Sequence, residues 1–160
     1  MADELRVGIS DYKVAQQPQT LITVGLGSCV GIALYDPKTK IGGLSHIMLP
    51  ESSAFKDASK VEKFADLAIP HMASEINKRT NNNQLVAKIA GGASMFQFSK
   101  DLPHGSIGDR NVLAVEEVLK QLGIPLLANH TGGNMGRTMS VDLATFTVNI
   151  RMVNREIIVL

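Results

Sequence analysis

Tryptophan is absent from this chain, aromatic residues make up only 4% of it, and it holds a single cysteine in 160 residues. Each scarcity excludes something. With so few aromatics the core has to be built from Ile, Leu, Val, Ala and Met. One cysteine cannot close an internal disulfide, so a reducing cytoplasm is the expected home. An excess of one charge sign is also lacking. The 16 basic and 15 acidic residues leave a net charge of +1, which gives no electrostatic reason to expect nucleic acid or an anionic membrane as partner. No apolar run approaches the ~20 residues of a spanning helix, so no membrane insertion is expected. The start, Met1-Ala2-Asp3-Glu4-Leu5-Arg6, lacks the basic-then-apolar layout of a secretory signal. What is present is 44% hydrophobic residues, enough in a chain of this length to bury roughly two thirds of its unfolded surface. The expectation is one soluble domain over residues 1–160.

Alternating polarity predicts short strands over 6–10 and 11–15, then 21–24, 30–35 and 41–49. Asp36-Pro37 marks a turn between the last two. A helical stripe of Val61, Phe64, Ala65, Ala68, Met72 and Ile76 spans 59–79, with Pro70 expected to kink or split it. A strand over 85–90 leads into a glycine- and serine-rich loop from Gly91 to Gly108. Asp109 is the expected N-cap of a second helix, with Val112, Val115, Leu119 and Leu122 on one face and Gly123 as its stop. Strands over 124–128, 137–141, 145–153 and 156–159 complete the chain. Two helices among about nine strands predict an α/β layered sandwich of mixed or antiparallel sheet with helices packed outside.

The residues with chemical potential cluster early. Cys29 lies in Gly25-Leu26-Gly27-Ser28-Cys29-Val30-Gly31, and His46 follows on the next apolar strand. A hairpin near Asp36 to Lys40 would bring positions around 29 and 46 opposite one another. An imidazole beside a thiol can take its proton, and the resulting ion pair would hold a thiolate at neutral pH. Glycines at 25, 27 and 31 let the backbone turn sharply, and backbone N–H groups around Gly27 and Ser28 could stabilise an oxyanion. Thr23 has the strand parity to orient the histidine, with Ser45 as the fallback. Spacing alone leaves a buried structural cysteine and a core histidine equally open. A nucleophile elbow is excluded because a β-branched strand, not a helix, follows Cys29. A phosphate cradle lacks its Lys-Ser or Lys-Thr. The scattered His46, His71, His104 and His130 offer no paired zinc-ligand motif, only His71 and Glu75 at helical spacing. Met95, Phe96 and Phe98 form an apolar set that could grip a partner as the rim of the site.

Five segments occur in one order: Thr23 to Val30, Gly43 to Pro50, Lys88 to Phe96, Ile107 to Asn111 and Thr131 to Asn134. Together they resemble the bacterial chemotaxis deamidase family, CheD, over nearly the whole chain. The resemblance implies a protein-glutamine deamidase acting on methyl-accepting chemoreceptors, with Cys29 as nucleophile, His46 as base and Thr23 orienting His46. It also implies binding of the chemotaxis phosphatase CheC, a layered α/β fold related to certain bacterial toxin deamidases, and no metal or organic cofactor. One departure is His130, where family members usually carry an acidic residue; it lies outside the triad and bears on partner contacts. The competing readings are a thiol peptidase or transglutaminase, a non-catalytic adaptor for receptors and CheC, and a redox sensor, for which no resolving cysteine exists.

Overall fold

The computed structural model describes residues 3–54, 59–94 and 105–160. Within them the chain runs β1 (Glu4–Arg6), β2 (Asp11–Gln16), β3 (Thr20–Leu26), β4 (Val30–Asp36), β5 (Ile41–Ile47), α1 (Ala65–Thr80), β6 (Val86–Gly91), α2 (Ile107–Gln121), β7 (Leu126–Thr131), β8 (Arg137–Asp142), β9 (Thr147–Met152) and β10 (Ile157–Val159). The strands form two five-stranded sheets, ordered β1-β3-β8-β9-β10 and β2-β5-β4-β6-β7. Both are mixed, because β1 runs parallel to β3 and β6 parallel to β7 while the other pairs are antiparallel. None of the described helices is long and apolar enough to cross a membrane.

The second sheet is the middle of three layers. Val30, Ile32 and Leu34 of β4 face α1 and α2, joining Ala68, Ile69, Met72, Ile76, Val115 and Leu119 in one core. Ala33 and Tyr35, at the intervening positions, face the first sheet and pack with Leu21, Leu44, Met139, Val141 and Ile150. A strand covered on both sides has no solvent face, so all seven residues of β4 are buried. The outer sheet alternates instead, as β8 and β9 do. Two of the scarce aromatics meet between the sheets, where Tyr35 stacks on Phe146 with centroids 4.5 Å apart and donates its hydroxyl proton to Leu143 O.

Two details of the helices differ from expectation. Pro70 neither splits α1 nor ends it; the helix is one span from Ala65 to Thr80. The proline sits in the second turn, where it removes a single i to i−4 bond, and the buried stripe on both sides of it holds the helix to the middle sheet. In α2 the N-cap is Ser106, not Asp109. Ser106 accepts from the Asp109 N–H at 3.1 Å while the Asp109 carboxylate accepts from the Ser106 N–H at 3.3 Å. That is a capping box with Asp at its third position. Gly123 follows the end of α2 with φ +69°, the left-handed stop the sequence suggested.

Replacing Ser106 by Ala leaves the Asp109 N–H without its acceptor. A loss of about 1 kcal/mol is expected in urea denaturation.

Candidate active site

Thr23 and His46 come from different sheets and meet between them. In β5, His46 shares the parity of Leu44, which points to the inter-sheet core, and in β3 Thr23 shares the parity of Leu21. Both side chains are fully buried. The Thr23 Oγ1 lies 2.7 Å from His46 Nδ1 and 2.7 Å from Val7 O. A hydroxyl has one proton, and the carbonyl can only accept it. The Thr23 oxygen therefore accepts from Nδ1–H, which fixes the imidazole tautomer and leaves Nε2 as an unprotonated lone pair. That Nε2 is buried and has no hydrogen-bond partner among the described residues. The fallback orienter, Ser45, lies on the opposite side of β5, and its hydroxyl makes no bond to the ring.

The hairpin across Asp36 to Lys40 delivers the register that the chemistry requires. Asp36 pairs with Ile41, and Gly31 pairs directly with His46. Cys29 lies two residues before Gly31 and packs against the same inter-sheet core, half-buried. It sits in the bend just before β4, outside the paired register, and no hydrogen bond joins its thiol to His46 Nε2 among the described residues. Glycine at 31, directly opposite the ring, puts no side chain between them.

The turn that holds Cys29 leaves the first sheet at a bulge, where Gly25 has φ +80° and the β3–β8 register shifts. All three of its carbonyls are engaged. Gly27 O accepts from Ala93 N–H and Cys29 O from Gly92 N–H, each at 2.8 Å. Ser28 O accepts from the side chain of Asn111 at 2.9 Å. The Gly27 N–H is committed to Gly25 O at 3.1 Å, so Gly27 supports the turn and is not a free donor. No hydrogen bond from the Ser28 or Cys29 N–H to another residue is present among the described residues. Behind the turn, Gly91 has φ +113°, and a Cβ there would collide with Cys29 O. Arg137, at the next layer, donates through its two terminal nitrogens to His130 O at 2.7 Å, to His130 Nδ1 at 2.9 Å and to Gly132 O, while its buried Nε has no partner among the described residues. It thereby holds the 130–135 loop against the Gly91 to Ser94 strip through Gly132 N–H to Gly91 O and Ser94 N–H to Gly133 O. His130 is thus an acceptor for Arg137.

Burial decides the charge state of the pair. It pushes the Cys29 thiol up from its ordinary value, with the residue's own backbone N–H pulling the other way. It pushes His46 down to about 4. The resting pair is therefore neutral thiol and neutral imidazole, not the preformed ion pair that proximity alone suggested. A low-dielectric pocket penalises both charged forms.

Met95, Phe96 and Phe98 lie outside the described residues. Among the described residues no three His, Cys, Asp or Glu side chains converge. Sequence reasoning missed Asn111 as a site residue. The available signal was a polar residue on an apolar stripe, since Asn111 stands four and eight positions before the buried Val115 and Leu119.

A family model described as CheD chemotactic sensory transduction matches residues 48–152, more than half of the chain. The chain belongs to the CheD family. Thr23, Cys29 and His46 lie before that match, but full-length relatives span them. One from Clostridium novyi, named probable chemoreceptor glutamine deamidase CheD, is 53% identical over 97% of this chain and 96% of its own. Proteins of the same name from Clostridium acetobutylicum and Clostridium botulinum (strain Hall) are 51% and 54% identical, over 96% and 94% of this chain and 93% of each relative. A solved structure, the Bacillus licheniformis hypothetical protein YfiH, aligns at a TM-score of 0.48 with 15% identity, covering 78% of this chain and 51% of that one.

Two measurements follow from the charge state. Because the folded chain holds His46 unprotonated down to about pH 4, it binds fewer protons than the unfolded chain between about 4 and 6.5. That contribution to stability is complete above about pH 6.5 and is lost as pH falls towards 4. It amounts to up to about 3 kcal/mol. Urea denaturation across this window should show the loss in the wild type and a flatter profile in His46→Gln. Separately, alkylation of Cys29 by iodoacetamide should climb on the alkaline side of the usual thiol midpoint instead of reaching a plateau at neutral pH.

Proposed function

We propose that this CheD-family chain is a chemoreceptor glutamine deamidase whose chemistry runs through Cys29, His46 and Thr23. The observation that carries the reading is the fixed imidazole: Nδ1–H is spent on Thr23, and the unpartnered Nε2 lies buried by the inter-sheet core against which the half-buried thiol packs.

The steps follow from that geometry. Nε2 takes the Cys29 proton as the thiolate attacks the side-chain carboxamide carbon of a substrate glutamine. The carbonyl oxygen becomes an oxyanion, met by the Ser28 and Cys29 N–H groups. Collapse of the tetrahedral adduct expels ammonia, to which Nε2–H returns the proton, and leaves a thioester. Water, deprotonated by Nε2, attacks the thioester carbon. The C–S bond breaks, and glutamate, thiol and neutral imidazole result. Thr23 holds the ring through the imidazolium stage, when Nδ1–H becomes a stronger donor. Nothing in these steps calls for a metal or an organic cofactor.

The substrate is a side chain on a methyl-accepting chemoreceptor, and the conversion adds a negative charge to a signalling helix, a local electrostatic change with a distant readout. Met48, two residues past His46, is among the exposed large hydrophobics and suits an apolar rim for a docking helix. The CheC phosphatase is proposed to use the same face, in competition with receptor. A cytoplasmic single domain over 1–160 fits this role.

Intact-mass spectrometry of a cytoplasmic chemoreceptor fragment tests the reading. Incubation with this protein should give the mass gain of amide-to-acid conversion, with stoichiometric ammonia, and Cys29→Ala should abolish both. An unchanged mass with a receptor fragment that the protein binds would sink the enzyme reading for that substrate and favour the adaptor. Backbone cleavage or an isopeptide crosslink would point instead to a peptidase or transglutaminase.

A further inference from the structure

Asn111 is fully buried on the first turns of α2, and its placement has a chemical consequence. Its Nδ2 donates to Ser28 O and to Met48 O, each at 2.9 Å. Two carbonyls can only accept, so the amide nitrogen must face both, and Oδ1 is left buried without a partner. An orphaned buried acceptor of this kind costs roughly 1–3 kcal/mol. An apolar side chain would avoid that cost but strip this donor from Ser28 O and Met48 O, so what Asn111 contributes lies in its two donated bonds.

A trans peptide is planar, with its C=O and the following N–H pointing in opposite directions. Holding Ser28 O towards α2 therefore aims the Cys29 N–H away from α2. The same reasoning applies one unit earlier, where Ala93 N–H holds Gly27 O and so aims the Ser28 N–H. Neither of these N–H groups bonds another residue among those described. That the Cys29 N–H lies beside its own thiol is independently indicated by its favourable effect on the thiolate. Met48 O belongs to the residue just beyond β5, so the same side chain ties the nucleophile turn to the end of the strand that carries His46.

We infer that Asn111 is a positioning residue that sets the Ser28–Cys29 peptide plane so that the Cys29 N–H meets the oxyanion. It rests on the reading of Cys29 as nucleophile and His46 as base. Asn111 touches neither substrate nor reacting atoms; it acts through the backbone.

The test pairs two reactions of one thiol. Deamidation of a receptor fragment passes through an oxyanion, whereas alkylation by iodoacetamide displaces iodide at a saturated carbon and does not. Asn111→Ala should lower kcat for deamidation roughly 100-fold, the scale of a lost oxyanion donor, with KM little changed and alkylation slowed far less, by no more than the lost effect of the Cys29 N–H on the thiolate. Asn111→Ser, which keeps one hydroxyl donor, should fall between. In the Ser variant the amide ¹H–¹⁵N signal of Cys29 should move while the Nδ1–H signal of His46 stays, which reads the peptide plane even if the Ala variant does not fold. Unchanged kcat in a folded variant, an unmoved Cys29 amide, or deamidation and alkylation falling in step would overturn the inference. Cys29→Ala measured alongside separates the two levels: if it still deamidates, the nucleophile reading itself has failed.

Discussion

A histidine fully enclosed between two sheets must place its ring N–H on an acceptor or bear the cost of burying it unpaired. Here the acceptor is the Thr23 hydroxyl, whose own proton goes to Val7 O. This relay crosses from the outer sheet to the middle one, so it joins two layers and selects a tautomer at once. Every chemical property proposed for the site depends on it. A ring free to take the other tautomer would present N–H to the thiol and could not accept its proton. Val7 is itself anchored by its N–H to Ile22 O at 2.8 Å, which places the relay on paired backbone instead of a loose loop.

The nucleophile depends on a different kind of constraint. Its turn is held by carbonyls, three in succession, each accepting from an element behind it. Two donors are backbone N–H groups of the Gly92-Ala93 strip and one is the side chain from α2. Close approach is what makes glycine necessary there: a Cβ at Gly91 would collide with Cys29 O, and one at Gly108 with the carbonyls of Gly92 and Ala93. The glycine-dense segments are the packing of strand end, helix start and nucleophile turn at backbone contact distance. The same closeness buries both groups, and burial favours the neutral thiol and the neutral imidazole.

Much of this was legible in the residue pattern. The strands around Cys29 and His46, the hairpin at Asp36-Pro37, the stripe of α1 and the Gly123 stop follow from local periodicity and turn chemistry. Thr23 was picked by its even spacing from Cys29 on the condition of an unbroken strand; the Gly25 bulge breaks that run, and Thr23 meets His46 through the parity it shares with Leu21. Other features were not legible. Asp109 looked like a cap because both Ser106 and Asp109 favour helix starts, and only the reciprocal bonds separate cap from third residue. A split at Pro70, one of the two outcomes expected there, did not occur: a buried stripe on both sides of it outweighs one lost bond, and propensity cannot weigh the two. The ion pair looked natural because proximity is visible in spacing, whereas desolvation is not.

Residue order alone determined the cast: one thiol, glycines around it, a histidine on the following strand, a threonine at matching parity, and five segments in the order of the CheD family. Tertiary structure decided the relations among them. The tautomer of His46, the neutrality of the pair, the commitment of the Gly27 N–H and the grip of Asn111 on Ser28 all join residues far apart in the chain. Bonds across 16, 23 and 83 positions exist only once two sheets and a helix have packed. Dielectric and hydrogen-bond direction are properties of that packing, not of any local run of residues.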